Sequence, residues 1–270
     1  MQQSPTATQD SPFRAALDPS YFFQSPTHDE ALARLDFLVE HRRRLCIVQG
    51  AAGSGKSLVL EVFARQQRRA GSQVALVGLL GIDERELLWS ISAQLGLNPG
   101  LDEPTFSLWR RLCDRFVENR CQQIATVLLL DDADEATPEV LTLVLRMVQA
   151  DSSPDARVVV ALAARTGGEK HLGQRLLGLS ELRIELEPWD ETDTSRYLST
   201  SLERAGRRSP TFDPPAASRL HELCSGVPRR ISQMADLALL AGAGQGLAHI
   251  DAQTIDDVYQ ELCVSSGRGR

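Results

Sequence analysis

Gly50-Ala51-Ala52-Gly53-Ser54-Gly55-Lys56-Ser57 fits G-x-x-x-x-G-K-S/T at every fixed position and lies between an apolar run and a segment of helical periodicity. The stretch reads as a phosphate-binding loop. Backbone N–H groups converge on a triphosphate only where no Cβ blocks their approach, which accounts for Gly50, Gly53 and Gly55. Lys56 is expected to reach the β and γ phosphates, and the Ser57 hydroxyl to complete the shell of a Mg²⁺ ion. Leu45-Cys46-Ile47-Val48 before the loop is strand-like, while Leu58, Val59, Leu60, Val62 and Phe63 supply the apolar positions of a helix over residues 56–70. That helix turns its N-terminus, the positive end of its dipole, toward the phosphates. Residues 50–58, Leu58 included, are the expected nucleotide-binding set.

Outward from the loop the chain alternates strands and helices. Residues 73–77 read as a second strand after the Gly71-Ser72 break, and residues 83–95 and 104–122 carry apolar positions at helical spacing. Thr126-Val127-Leu128-Leu129-Leu130-Asp131-Asp132 is a strand ending in two carboxylates. A helix over 137–149 opens on Pro138, and strands are expected at 158–162 and 182–186. Strands separated by helices imply an α/β fold with a parallel sheet covered on both faces, with ligand chemistry at the strands' carboxyl ends. From Asp190 no strand-like run appears. Helices are expected at 190–206, 214–224, 228–241 and 251–263, with a flexible turn at 242–246. The expected organisation is a disordered tail at 1–12, an αβα core at 13–188, an all-helical domain at 189–264 and a second disordered tail at 265–270.

An apolar strand that delivers an acid to the mouth of a phosphate loop suits it to hold Mg²⁺, directly or through water, and Asp131 takes that role. Asp132, pointing elsewhere as the chain leaves the strand, is the candidate to polarise an attacking water. Asp134 and Glu135 read as a solvated turn or cap. One strand separates the loop strand from the acidic strand in sequence, an order that suits hydrolytic ATPases better than kinase-like or GTPase-like arrangements. No N-K-x-D guanine signature follows, which disfavours GTP.

Composition limits the alternatives. The 270 residues are 42% hydrophobic, enough for a large core or a core plus a smaller domain, and no run approaches the ~18 apolar residues of a membrane helix. The polar N-terminus lacks a signal core, so the expectation is a cytoplasmic protein with no membrane partner. Five cysteines, at 46, 113, 121, 224 and 263, form no C-x-x-C pair and read as small buried residues in a reducing compartment. A formal charge of −7 argues against electrostatic coating of nucleic acid, although Arg42-Arg43-Arg44, Arg68-Arg69 and Arg229-Arg230 form local basic clusters.

The loop at 50–57, the strand at 127–132 and Gly226-Val227-Pro228-Arg229-Arg230-Ile231-Ser232 together resemble the AAA+ ATPases. More narrowly they resemble the ExeA/GspA-type general-secretion ATPases and their MuB/TniB-like transposition relatives. The stretch 18–32, Asp-Pro-Ser-Tyr-Phe-Phe-Gln-Ser-Pro-Thr-His-Asp-Glu-Ala-Leu, and Leu186-Glu187-Pro188-Trp189 followed by Glu191-Thr192 strengthen the match. The resemblance implies a P-loop (AAA+/ASCE) sandwich with five strands, a helical lid, and ATP between them. It also makes Arg229 the lid arginine that contacts the γ-phosphate and couples the two domains, a task to which a bidentate guanidinium is suited.

The chain departs from that pattern at three places. Asp132 stands where a longer Glu is usual, so hydrolysis is expected to be slow or the water differently held. Ala163-Ala164 follow the strand where a polar sensor is usual, leaving Arg165 or Thr166 as substitutes. The finger arginine has two candidates, Arg175 and Arg183. ExeA-type proteins continue into a membrane segment and a peptidoglycan-binding domain that this sequence lacks, so the expectation is a stand-alone ATPase.

The leading expectation is an ATPase that hydrolyses ATP with Mg²⁺, using Lys56, Asp132 and Arg229, and works as a switch or motor on an unidentified protein partner, with ATP-dependent self-assembly permitted. A DNA-associated, ATP-dependent regulator of the transposition type with slow turnover is the second reading. A small-molecule kinase is the third.

Overall fold

A computed structural model describes residues 11–13, 18–206 and 211–266, with the side chains of 263–266 left aside. Residues 267–270 of the tail expected at 265–270 and 1–10 of that at 1–12 lie outside these residues, whereas Ser265 and Ser266, expected in the tail, belong to the last helix. The described residues fall into two compact units, one spanning Leu17–Glu187 and the other joining Pro188–Arg270 to Met1–Ala16.

The first unit follows the strand–helix alternation read from the sequence. In chain order it contains α1 (Pro26–Glu40), β1 (Leu45–Gly50), α2 (Lys56–Arg69), β2 (Gln73–Gly78), α3 (Glu84–Gln94), α4 (Thr105–Cys121) and β3 (Thr126–Asp131). It ends with α5 (Pro138–Val148), β4 (Val158–Arg165), α6 (Gly173–Leu179) and β5 (Leu182–Leu186). The five strands form one parallel sheet in the order β2-β3-β4-β1-β5. The acidic strand β3 and the loop strand β1 therefore flank β4.

Period-two alternation sorts the strand side chains into two buried clusters. Leu45 and Ile47 of β1, Leu128 and Leu130 of β3, and Val158, Val160, Leu162 and Ala164 of β4 face α3, α4, α5 and α6. Cys46 and Val48, Val127 and Leu129, and Val159, Ala161 and Ala163 face α1 and α2. This is the three-layer sandwich that the alternation required. On its α2 side Phe63 is fully buried, a burial worth about 2–3 kcal/mol.

The same alternation carries β4 past residue 162, where the sequence reading ended it. Ala163 and Ala164 continue into opposite cores, opposite Val48 and Gln49 of β1, and Arg165 comes into register with Gly50.

The second unit contains α7 (Glu191–Arg204), α8 (Pro214–Cys224), α9 (Pro228–Gln245) and α10 (Ala252–Ser266). Asp190 and Asp213 cap α7 and α8 by accepting from the N–H groups of Asp193 and Ala216, and Pro214 and Pro228 open their helices without losing an intrahelical donor. The turn expected at 242–246 is instead largely helical. A Cβ at Gly242 would lie 2.3 Å from Ile250 Cδ1, so this glycine permits close packing, and only Gly246 takes the left-handed conformation that ends α9.

Phe13, assigned by sequence to the sandwich, groups with this helical unit. It is 1% exposed, its ring centroid lies 5.9 Å from those of Tyr197 and Phe212, and its carbonyl accepts from Ser232 Oγ at 2.6 Å. Ser11, placed by sequence in a disordered tail, donates its hydroxyl to Asp236.

Candidate nucleotide site

β1 ends at Gly50, where the chain turns back on itself. A Cβ there would lie 2.5 Å from Ser54 Oγ and 3.1 Å from Leu186 Cβ, so any larger residue would have to displace Ser54 and crowd β5. Ser54 N donates to Ala51 O at 3.1 Å, and Thr166 N donates to Gly50 O at 3.2 Å, pinning the loop's start to the end of β4. Gly53 and Gly55 adopt φ of 85° and 102°, conformations that L side chains resist. Gly55 is the N-cap of α2 and offers no side chain to the first-turn N–H groups, which is how an anion-binding helix start is built.

Lys56 opens α2 and is 8% exposed. Its Nζ donates to Gly50 O at 2.9 Å and to Ala51 O at 3.1 Å. Burial lowers the lysine's pKa, while the carboxylates of Asp131, Asp134 and Asp132 oppose that shift, so the ammonium lies within the field of the acidic turn after β3. Ser57 and Leu58 follow in the first turn, both half-buried.

Asp131 closes β3 opposite Gly78 of β2, and its carbonyl accepts from Leu79 N. Asp132 sits at φ 51°, ψ 41°, with its N–H donating to Asp131 Oδ1 at 2.9 Å. Left-handed backbone at a non-glycine residue is strain that the surroundings must hold in place. Asp131 is thus the last residue of the strand, and Asp132 the first to leave extended backbone. Burial, then the neighbouring carboxylates of Asp131 and Asp134, push the Asp132 pKa up, against Lys56 and Arg165.

Two features went unread in the sequence. Asp134 is buried, whereas the sequence placed it in a solvated turn. The extension of β4 brings Arg165 to it, with Nε donating to Oδ2 at 2.7 Å, and the Arg165 guanidinium also pairs with Glu135. The other feature is His28 of α1, 4% exposed, whose Nε2 lies 2.9 Å from the Ser54 carbonyl oxygen. The only sequence signal for it was a histidine inside the resembling stretch at 18–32.

The remaining candidates are placed as follows. Arg229 and Arg230 are exposed in the first turn of α9, in the helical unit. Arg175 on α6 and Arg183 on β5 are exposed. Arg42 pairs with Asp155, Arg43 with Glu181, and Arg44 donates to Ser153 O, so that basic cluster is tied into its own surface. Cys46, Cys113, Cys121 and Cys224 are free thiols, and burial pushes Cys46 up to about 12. No helix among the described residues is long and apolar enough to cross a membrane.

A family model described as AAA domain matches residues 39–172, from the end of α1 past the turn after β4. General secretion pathway protein A of Aeromonas hydrophila is 28% identical over 239 residues, which cover 87% of this chain. The matched region spans 44% of that relative's length. Among solved structures, the Aeropyrum pernix ORC1 protein in complex with DNA superposes with a TM-score of 0.68 at 16% identity, covering 93% of this chain and 68% of that one. Cdc6p from Pyrobaculum aerophilum gives 0.67 at 16%, covering 91% and 70%. The Thermotoga maritima RuvB Holliday junction branch migration motor gives 0.62 at 13%, covering 93% and 73%. The sheet order, the loop geometry and these likenesses agree on the fold: residues 39–172 match the AAA domain, and the chain has the P-loop AAA+ fold, a parallel five-stranded sheet with flanking helices, followed by a helical C-terminal part.

Proposed function

We propose that the protein binds ATP with Mg²⁺, hydrolyses it, and uses the helical unit as a lid whose closure is read by a protein partner. The observation that carries this reading is the placement of Lys56 at the start of α2, desolvated and within the field of Asp131, Asp132 and Asp134. The residues present fit the ligand. A Cβ at the Gly50 turn would have to displace Ser54, Ser54 Oγ is buried without a hydrogen-bond partner among the described residues, and a carboxylate ends the strand on the far side of β4.

In this reading the backbone N–H groups of residues 53–58 and the Lys56 ammonium hold the polyphosphate. Ser57 and Asp131 would hold Mg²⁺, which neutralises charge that develops on the phosphate oxygens. Asp132, held in left-handed backbone just past the strand and with its pKa raised, is suited to accept a proton from a water or to orient it. Arg229 would pair with the γ-phosphate and so make the helical unit sensitive to its presence, because a ligand shifts a conformational equilibrium only through differential contacts.

The test measures binding of a non-hydrolysable ATP analogue and phosphate release without any acceptor. Equal analogue affinity of wild type and Lys56→Ala would remove the reading, and strict dependence on an acceptor metabolite would replace it with a kinase.

One observation favours a second reading, an ATP-dependent DNA-associated regulator. The ORC1 structure that this fold resembles is a complex with DNA, and Arg229 and Arg230 are an exposed basic pair. The internal pairing of Arg42 and Arg43 and the net charge of −7 weigh against it. DNA affinity with and without ATP across salt concentrations decides, and no ATP-dependent binding at low salt would exclude it.

A further inference from the structure

His28 lies in the first turn of α1 with both ring nitrogens engaged. Nε2 is 2.9 Å from the Ser54 carbonyl oxygen and Nδ1 is 2.7 Å from Ser25 Oγ. A carbonyl oxygen only accepts, so Nε2 carries the proton, and Nδ1 of the neutral ring accepts from the Ser25 hydroxyl. Ser25 is the fully buried N-cap of α1, yet its hydroxyl makes no side-chain cap to that helix and bonds the histidine instead. Phe22 packs against the imidazole at 5.7 Å between ring centroids. The ring also abuts Gly55, where a Cβ would lie 2.7 Å from Nε2.

The consequence for the phosphate loop follows from peptide geometry. The C=O and N–H of a trans peptide point in opposite directions, so fixing the Ser54 carbonyl toward His28 aims the Gly55 N–H away from it. Gly55, at φ +102°, is the residue whose rotation sets the direction of the first α2 N–H groups. An apolar side chain could fill the same volume without the cost of burying an imidazole, but it could not hold this plane.

We infer that His28 is a positioning residue for the polyphosphate: it fixes the Ser54–Gly55 peptide so that the loop's donors are aimed before the ligand arrives, and Ser25 fixes the ring's tautomer. This rests on the nucleotide reading above. Because the histidine acts through the loop backbone, its effect belongs to the phosphate chain and is independent of the base.

The test uses the full chain, with Mg²⁺ and either a non-hydrolysable ATP analogue or inorganic tripolyphosphate, followed by calorimetry. His28→Leu is expected to weaken both probes by roughly three- to tenfold, the worth of one backbone hydrogen bond. His28→Gln, whose amide N–H₂ can reach the same carbonyl, is expected to recover most of that loss. Lys56→Ala is the independent control. If it binds both probes like wild type, the nucleotide reading fails. If it loses them while His28→Leu does not, the role given to His28 fails. Loss of the analogue alone would assign His28 to the base, and failure of His28→Gln to recover affinity would reduce it to packing; either overturns the inference. Should His28→Leu not fold, Ser25→Ala keeps the ring and carries the test, with a smaller loss of both probes expected and unchanged affinity as the overturning result.

Discussion

Arg165 Nε donates to Asp134 Oδ2 across 2.7 Å, and the Arg165 backbone N–H reaches the other oxygen of the same carboxylate at 3.2 Å. The end of β4, beside Gly50, is thereby clamped to the turn that carries Asp131 and Asp132. The next turn completes the clamp, since a Cβ at Gly168 would lie 2.7 Å from Asp134 Oδ2. The side chains differ in exposure, 51% for Arg165 and 3% for Asp134, and that asymmetry decides what each substitution costs.

Arg165→Ala strands a buried carboxylate, whereas Asp134→Asn leaves a guanidinium that water can solvate. Arg165→Ala is expected to destabilise the protein more than Asp134→Asn does, measured by urea unfolding at pH 7. Burial alone would raise the Asp134 pKa, but the hydrogen bonds from Arg165 outweigh it and hold the carboxyl below its usual value. A depressed folded pKa contributes stability that is present at neutral pH and lost as pH falls through that pKa. The gap between wild type and Asp134→Asn should therefore shrink below about pH 4. A gap that widens in acid would contradict the pairing.

Lys56→Met separates binding from folding. Burial opposes the lysine's charge, and its two acceptors are backbone carbonyls at the rim of the loop. An apolar isostere removes the desolvated charge, so the unfolding free energy should change by less than about 1 kcal/mol. Analogue affinity should fall roughly ten- to hundredfold, the worth of charge-assisted hydrogen bonds. Melting curves with and without analogue read both quantities, because ligand at a hundred times its Kd adds about 2.7 kcal/mol. Equal ligand-induced shifts in the two proteins would refute the role of Lys56.

The parts of this structure that were legible in the sequence are those set by local chemistry. Glycines at 50, 53 and 55 announce a turn that other residues resist, by crowding at 50 and 55 and by positive φ at 53 and 55, and the unbroken apolar run 127–130 announces a strand buried on both faces. What escaped depends on partners distant in sequence. Nothing near Asp134 says that a strand will deliver Arg165 from 31 positions away, and Ala163-Ala164 carries no strand signal until two cores are there to receive it. His28 and Ser54 are 26 positions apart and meet only once α1 packs on the sheet. Gly242 reads as a breaker because its packing partner, Ile250, arrives after the helix has ended.

Asp132 occupies left-handed backbone, which Asp tolerates better than the longer Glu because its short side chain can bond locally. This gives a physical reason for the shorter acid at this position. Asp132→Asn should keep analogue affinity and lower phosphate release about 10²- to 10⁴-fold, the contribution of a positioned general base. Asp132→Glu should reach further toward a water but lose some stability to backbone strain, so faster turnover with a lower melting temperature is expected. Steady-state phosphate release and thermal melting on the same samples check both. Unchanged turnover in Asp132→Asn would take the residue out of the chemistry.

Gly226 and Gly71 share positive φ, 68° and 89°, but differ in their surroundings. A Cβ at Gly226 would lie 2.2 Å from the Trp189 carbonyl oxygen, whose residue also donates its N–H to Gly226 O at 2.9 Å, while a Cβ at Gly71 meets nothing within 4 Å. Gly71→Ala should therefore cost only the backbone penalty of about 1–2 kcal/mol. Gly226→Ala must also displace backbone, breaking the tie between Trp189 and the start of α9, and should cost about 3 kcal/mol or more. Because Arg229 follows three residues later, the same substitution should weaken ATP analogue binding if that arginine reads the nucleotide, whereas Gly71→Ala should not. Chemical denaturation and calorimetry of the two variants side by side test this. Equal destabilisation would mean that the backbone contact at Trp189 relaxes at little cost.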